Sequence, residues 1–225
     1  MQVDLKVVQL LSSRLCHDLV GPAGAVQNGI ELFEQMGSDE GEAALKIVVS
    51  SGEQLLARLA FFRLCFGQGG LSGTKPAIDE ARDLAQTFLV GGRISLDWPP
   101  EIGAKTRKAI TCPVIKLLLN MILVAIDGLP RGGVLTVSLM SVDNSQEELA
   151  IGMAVKASGD GAFLNEDLQE ALSSERLGQV ERGLSAHNVH GFFCQRLAEK
   201  QLSKIEFSST QDEVELTVLV PHQSG

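Results

Sequence analysis

The chain has 225 residues, of which 44% are hydrophobic and 21% charged, so it can bury a core as one or two domains. Its formal net charge of -9 argues against a nucleic-acid-binding surface, which would need clustered basic residues to neutralise phosphates. No apolar run reaches the ~18 residues of a membrane span, and the N-terminus lacks a signal-peptide pattern. The four cysteines form no CxxC motif, which predicts a reduced, cytoplasmic protein rather than a disulfide framework.

The first two predicted elements are helices that form an antiparallel hairpin. Hydrophobic residues recur at three- and four-residue spacing over 3–35, and again from a cap at Ser38 or Asp39 to about Phe66. Because the turn between them is short, the helices fold back on each other. Two helices alone cannot enclose a core, so we predict a homodimeric four-helix bundle. The predicted dimer seam on the second helix consists of Ala44, Val48, Leu55, Leu59 and Phe62.

A glycine-rich segment, residues 67–76, is the predicted boundary between two domains. Residues 1–68 would form the helical-hairpin domain, and residues 77–225 an α/β domain. The predicted helices of the second domain are 77–90, 106–129, 165–172 and 185–201, and its predicted strands are 93–98, 133–142, 148–158, 204–209 and 213–220. Helices gathered against a mixed sheet give an α/β sandwich, so the whole chain is predicted to be α+β.

The first helix carries His17 and Asp18 side by side. At about 100° per residue, His17 lies about 200° around the helix from Leu15 and points away from the apolar face. A neutral imidazole is nucleophilic, and an adjacent carboxylate can orient the ring or take a proton. The alternative is an ordinary surface histidine. The small or polar residues on the same face would admit a second protein and favour a reactive histidine: Ser13, Gly21, Gly24 and Asn28.

Two segments resemble a known family. RLCHDLVGP (14–22), with an acid directly after the histidine and a proline five positions on, resembles the phosphoacceptor box of two-component histidine kinases. GPAGAVQNGIEL (21–32) and VIKLLLNMILVAIDGLPRGG (114–133) are similar to histidine phosphotransferases of the ChpT type. The resemblance runs almost end to end. It implies a homodimer with a kinase-like body that carries phosphate between receiver domains of a hybrid kinase and of response regulators.

The same resemblance implies roles for residues around the histidine. His17 would be the phosphoacceptor and Asp18 a supporting residue, unless Asp18 is a plain surface acid. Mg²⁺ and a lysine would come from the receiver domain, and this chain would bind no cofactor or metal itself. The residues that we assign to receiver contact are Arg14, Val20, Gly21, Gly24, Ala25 and Asn28.

The second predicted domain resembles a histidine-kinase ATPase domain whose ATP motifs are altered. Asn120 matches the position of the family asparagine, but Lys116 stands where kinases carry an acidic or polar group. KASGDGAF (156–163) keeps two glycines of an Asp-x-Gly-x-Gly motif, with Ala157 in place of the aspartate that reads adenine. The lid is reduced to RGLS (182–185). We therefore predict a scaffold and docking surface, with an ATP-dependent histidine kinase or a non-catalytic dimeric adaptor as the alternatives.

Two further features bear on the chemistry. In bifunctional kinases that this box resembles, a Thr or Asn four residues after the histidine aims a water at the receiver's phosphate, and Gly21 occupies that position here. The absence of a side chain predicts weak phosphatase activity. His187, His190 and Cys194, at i, i+3 and i+7, offer metal-ligand atoms on one predicted helix, against the alternative of ordinary scaffold residues.

Overall fold

The computed structural model describes residues 5–36, 41–67, 77–143, 149–173 and 183–221. The predicted cap at Ser38 or Asp39, nearly all of the glycine-rich linker, the loop between the central strands and Arg182 of the lid lie outside the described residues. The predicted domain boundary therefore stays a prediction.

The N-terminal helices are α1 (Leu5–Met36) and α2 (Gly41–Phe66), close to the predicted bounds. They run antiparallel, and glycine allows their backbones to approach closely. A Cβ added at Gly29 would lie 2.8 Å from Cγ2 of Val48, and one at Gly41 would lie 2.7 Å from the ring of Phe33. Both contacts lie between the level of His17 and the turn that joins the two helices.

The rest of the chain folds as a mixed sheet with helices against it. The helices are α3 (Ala77–Leu89), α4 (Ala104–Ala109), α5 (Cys112–Asp127), α6 (Glu166–Leu172) and α7 (Val189–Lys200). The strands are β1 (Ile94–Asp97), β2 (Gly133–Asp143), β3 (Leu149–Ser158), β4 (Glu206–Thr210) and β5 (Glu213–Pro221). The sheet order is β1-β2-β3-β5-β4, with β1 parallel to β2 and the other pairs antiparallel. Within the described ranges, every helix is too short or too polar to cross a bilayer.

Two predicted helices were wrong in their bounds. The predicted helix 106–129 is divided into α4 and α5, with Ile110 and Thr111 extended between them. Pro113 explains the break, because it cannot donate to the carbonyl of Ala109 and its ring would clash there in a continuous helix. The predicted helix 185–201 begins only at Val189, since Ser185 N–H donates to the Asn188 side chain in a preceding turn.

The buried core is centred on α5 and crosses the predicted boundary. It joins Phe61 and Cys65 of α2 to residues of the sheet such as Leu135 and Val155. Helix α1 packs against the rest of the chain at two places. Together these contacts fix the position of His17 relative to α5 and α7. Leu15 and Leu19 pack against the main core, and Val7 and Leu10 pack against a smaller cluster of Ala171, Leu184 and Phe192.

Candidate functional site

His17 projects from the middle of α1 into solvent. Its side chain is 84% exposed, in agreement with the orientation expected from helical periodicity. The ring nitrogen Nδ1 lies 3.2 Å from Oδ1 of Asp18. Because an ionised carboxylate only accepts, the neutral tautomer that fits this contact carries its proton on Nδ1 and its lone pair on Nε2. The pair therefore presents an accessible nucleophilic nitrogen.

The other carboxylate oxygen of Asp18 is connected, through Arg14, to the C-terminal part of the chain. Arg14, one turn before Asp18, donates from Nε to Asp18 Oδ2 at 3.3 Å. The same guanidinium donates to both oxygens of Asp127, the last residue of α5, at 3.0 and 2.8 Å. Nη1 of Arg14 also lies 3.3 Å from Nδ1 of His190, a residue of α7. The other ring nitrogen of His190, Nε2, is 2.9 Å from Asp127 Oδ2. A continuous chain of polar contacts thus runs from His17 to α7.

The charged side chains in this series of contacts stabilise one another. Partial burial alone would raise the pKa of Asp127, because it disfavours the charged carboxylate. The neighbouring His190 and Arg14 outweigh that effect and lower the pKa of Asp127 to about 2. Asp127 is therefore ionised at neutral pH and holds Arg14 by a bidentate ion pair, the geometry that makes such pairs strong.

The face of α1 beyond His17 is open. Apart from the neighbouring backbone of α1 itself, a Cβ placed on Gly21 or Gly24 would meet nothing within 4 Å among the residues that the structure describes. Val20 is 67% exposed, Asn28 is exposed, and Ala25 is partly buried. These positions leave room for a helix of another protein. Arg14 differs from them, because its side chain is only 19% exposed and all three guanidinium nitrogens contact groups of the same chain.

Sequence reasoning did not assign Asp127 and His190 to this site. Asp127 is the single acid that ends the apolar run of α5, and that isolated charge was the available signal. His190 was considered only as a metal ligand. Neither residue is near His17 in sequence, so local spacing carried no information about their contact with Arg14.

The residues at the altered ATP motifs have structural contacts. Asn120 is 1% exposed, and its Nδ2 donates to the carbonyls of Cys65 and Lys116 at 3.2 and 2.8 Å. Lys116 Nζ donates to the Gly67 carbonyl at 2.5 Å. Both side chains thus bind backbone carbonyls at the C-terminal end of α2.

The Asp-x-Gly-x-Gly-like segment is likewise part of the packed sheet. Ala157 is fully buried in β3, where it faces the core rather than a cleft. A Cβ on Gly159 would lie 2.4 Å from the Gly132 carbonyl, so glycine is required for this close approach. Gly161 has φ +69° and donates its N–H to Asp212 Oδ1 at 2.7 Å. Turn formation and packing account for these glycines.

The three side chains considered as metal ligands have different surroundings. His187 is exposed before α7 begins, His190 faces Arg14 and Asp127, and Cys194 is fully buried. Burial raises the pKa of the Cys194 thiol, which disfavours the thiolate that would bind a metal. In the part of the chain that the structure describes, no three His, Cys, Asp or Glu side chains are grouped as a metal site requires.

Comparison with known proteins identifies the family. Residues 78–213 match the family described as the histidine phosphotransferase C-terminal domain. The chain is also 32% identical over 205 residues to the protein phosphotransferase ChpT of Brucella abortus (strain 2308), covering 91% of each chain. The chain belongs to the histidine phosphotransferase family. A solved structure described as a bacterial phosphotransferase matches it with a TM-score of 0.71 at 26% identity, over 97% of this chain and 98% of that one.

Membership in the histidine phosphotransferase family confirms the resemblance found in the two sequence segments. It also confirms the predicted activity, phosphotransfer in a two-component phosphorelay. The α+β fold, with N-terminal helices followed by a five-stranded sheet, agrees with the predicted class. The role of His17 and the dimeric bundle stay predictions.

Proposed function

We propose that His17 carries the phosphoryl group from a phosphorylated receiver domain of a hybrid kinase to the receiver aspartates of response regulators. The observation that carries the proposal is the exposed imidazole of His17, whose Nδ1 faces Asp18 while Nε2 points away from that contact. Transfer of this kind depends on positioning and charge neutralisation more than on covalent machinery in the carrier. The receiver would supply Mg²⁺, and no cofactor would be bound by this chain. We place the reaction in the cytoplasm, because Cys16, Cys65, Cys112 and Cys194 are all free thiols.

A transfer assay tests this proposal. The protein is mixed with a receiver domain labelled on its phosphoaspartate, and the label on each chain is followed over seconds to minutes. We expect label on this protein that is lost in acid and retained in base, as for a phosphoramidate. Binding to the receiver without any transfer of label would contradict the proposal and favour the non-catalytic adaptor.

Receiver docking is proposed on the open face of α1, which includes Val20, Gly21, Gly24, Ala25 and Asn28. We predict that Gly24→Arg reduces transfer by about a hundredfold, since bulk on this face would displace the reacting atoms by an ångström or more. Gly24→Ala is the matched control, because its methyl group would meet no described residue beyond the adjacent backbone of α1. It should keep transfer and stabilise α1 by up to about 1 kcal/mol. Transfer rates and circular dichroism of both variants provide the measurement, and normal transfer by Gly24→Arg would move the docking surface elsewhere.

The protein is also proposed to conserve phosphate, with neither autokinase nor strong phosphatase activity. Three observations support this proposal: Ala157 is buried in the sheet, Asn120 is buried with its Nδ2 bound to backbone carbonyls, and Gly21 has no side chain to orient a water.

We predict two negative results. Incubation with labelled ATP and Mg²⁺ should leave the protein unlabelled, and incubation with a phosphorylated receiver should release inorganic phosphate no faster than the receiver does alone. The labelled-receiver transfer reaction, run in parallel, controls for active protein. Label on His17 from ATP would restore the kinase alternative. Rapid phosphate release without phosphohistidine would mean that another residue takes the role of the side chain missing at Gly21.

A further inference from the structure

We infer that Asp127 and His190 are positioning residues for phosphotransfer, and that they act on His17 through Arg14 and Asp18. The inference rests on the proposed role of His17 and adds to it a contribution from the C-terminal α/β part of the chain. It assigns to that part a function in the transfer reaction that does not require nucleotide.

Arg14 is held by the C-terminal part of the chain. Two of its nitrogens bind both oxygens of Asp127, and one of them also donates to the His187 carbonyl at 3.4 Å. His190, only 2% exposed, accepts from the same nitrogen at Nδ1, because a guanidinium can only donate. With these contacts the planar guanidinium has a fixed orientation that an arginine on a helix surface lacks.

The fixed guanidinium then orients Asp18. Its remaining donor, Nε, binds Asp18 Oδ2, so the other carboxylate oxygen faces His17 Nδ1. The hydrogen bond made by one imidazole nitrogen decides which nitrogen carries the proton. Asp127 and His190 therefore act, through two intervening side chains, on the tautomer of His17 and favour the form in which Nε2 is the nucleophile.

The reaction that this arrangement serves is transfer from an aspartyl phosphate. The lone pair of Nε2 forms the N–P bond as the O–P bond of the acyl phosphate breaks, and the electron pair of that bond returns to the receiver's carboxylate. The proton stays on Nδ1, and the positive charge that develops on the ring is offset by Asp18. Transfer to an acceptor aspartate reverses these changes. A carboxylate held in advance needs no reorganisation at the moment of transfer.

Asp127→Asn tests the inference, since it removes the charge that holds Arg14 while keeping the size of the side chain. Asp160→Asn is the matched control, because it removes an exposed ion pair with Arg131 in the same part of the chain. We expect the maximal transfer rate of Asp127→Asn to fall about ten- to a hundredfold, with the receiver concentration at half-maximal rate unchanged. Asp160→Asn should match the wild type.

The tautomer of His17 provides a readout that a merely structural role would not change. Imidazole ¹⁵N NMR of the full chain, with the His17 signals assigned from their loss in His17→Ala, should place the wild-type proton on Nδ1. In Asp127→Asn, the proton should shift towards Nε2. Arg14→Lys is the second variant, since lysine keeps the charge but lacks the planar fork that binds Asp127 through two nitrogens and Asp18 through a third, and it should shift the proton in the same direction.

The outcomes are separable. If His17 kept its wild-type tautomer in both Asp127→Asn and Arg14→Lys, the inference would be overturned. That conclusion would hold if the transfer rate were normal, and also if only the affinity for the receiver had changed. If Asp127→Asn failed to fold, Arg14→Lys would decide the question alone. Persistence of label in His17→Ala would refute the proposed function itself. Loss of label in His17→Ala, together with a normal transfer rate and a normal His17 tautomer in Asp127→Asn and Arg14→Lys, would refute only the inference.

Discussion

The His17→Ala variant should fold like the wild type and accept no phosphate from a phosphorylated receiver. The His17 side chain is 84% exposed, so its removal opens no cavity and changes the free energy of unfolding by less than about 0.5 kcal/mol. The variant lacks the nitrogen that would form the N–P bond, and alanine cannot replace it. We expect transfer to fall by at least about a thousandfold, measured as label on this chain, with circular dichroism to check the fold.

His187→Ala is the matched control for that experiment. His187 is also an exposed histidine, and only its backbone carbonyl contacts Arg14, which alanine retains. This variant should accept label at the wild-type rate. Undiminished labelling of His17→Ala would refute the assignment of the phosphoacceptor, and equal loss in both variants would indicate a general defect of the protein.

The features that the sequence predicted well depend on residues close together in the chain. Helical periodicity placed α1 and α2 within a few residues of their observed ends, and the rotation per residue placed His17 on the exposed face. Alternating and apolar runs located the strands for the same reason, since each strand's pattern is local. Pro113 was visible in the sequence, and its effect on the helix before α5 was underestimated.

The remaining features depend on contacts between distant segments. Arg14 and Asp127 are 113 residues apart, and nothing in the spacing of either residue indicates the pair. Asn120 kept the residue type of an ATP motif, but its partners are carbonyls of α2 and of its own helix. A residue type at a motif position thus did not determine which group it would bind, because tertiary packing decides that choice.

The structure changes which residues of α2 are available for the proposed dimer seam. Of the predicted seam, Ala44 and Phe62 are buried within the chain, whereas Leu59 is 45% exposed. A stripe on α2 that shares only Leu59 with the predicted seam is open to solvent and falls within about 80° of the helix surface at 100° per residue: Leu45, Val49, Leu56 and Leu59. On α1, Leu5 and Val8 near one end and Ile30 and Phe33 near the other are also exposed. Exposed apolar side chains on both helices of the hairpin are what a bundle of two copies would bury.

Leu56→Asp should dissociate the proposed dimer. Leu56 is 68% exposed in the single chain, so the substitution creates no cavity within it. In the dimer, each Leu56 side chain would contribute about 2 kcal/mol on burial, and symmetry doubles the loss. The dissociation constant should rise by about a thousandfold, and more if the new carboxylate is left without a partner. Light scattering should then give the 24.1 kDa chain mass for the variant, and twice that mass for the wild type.

Leu202→Asp provides the matched control for the dimer, because Leu202 is 78% exposed and lies outside the hairpin. This variant should keep the mass of the wild type. Since α1 is a component of both the docking face and the proposed bundle, loss of the partner copy would leave its apolar face open to solvent. We therefore expect Leu56→Asp to weaken transfer as well, through loss of order in the helix that carries His17. A wild-type protein that scatters as a single chain at micromolar concentration would refute the bundle, and the exposed stripes would then need another partner.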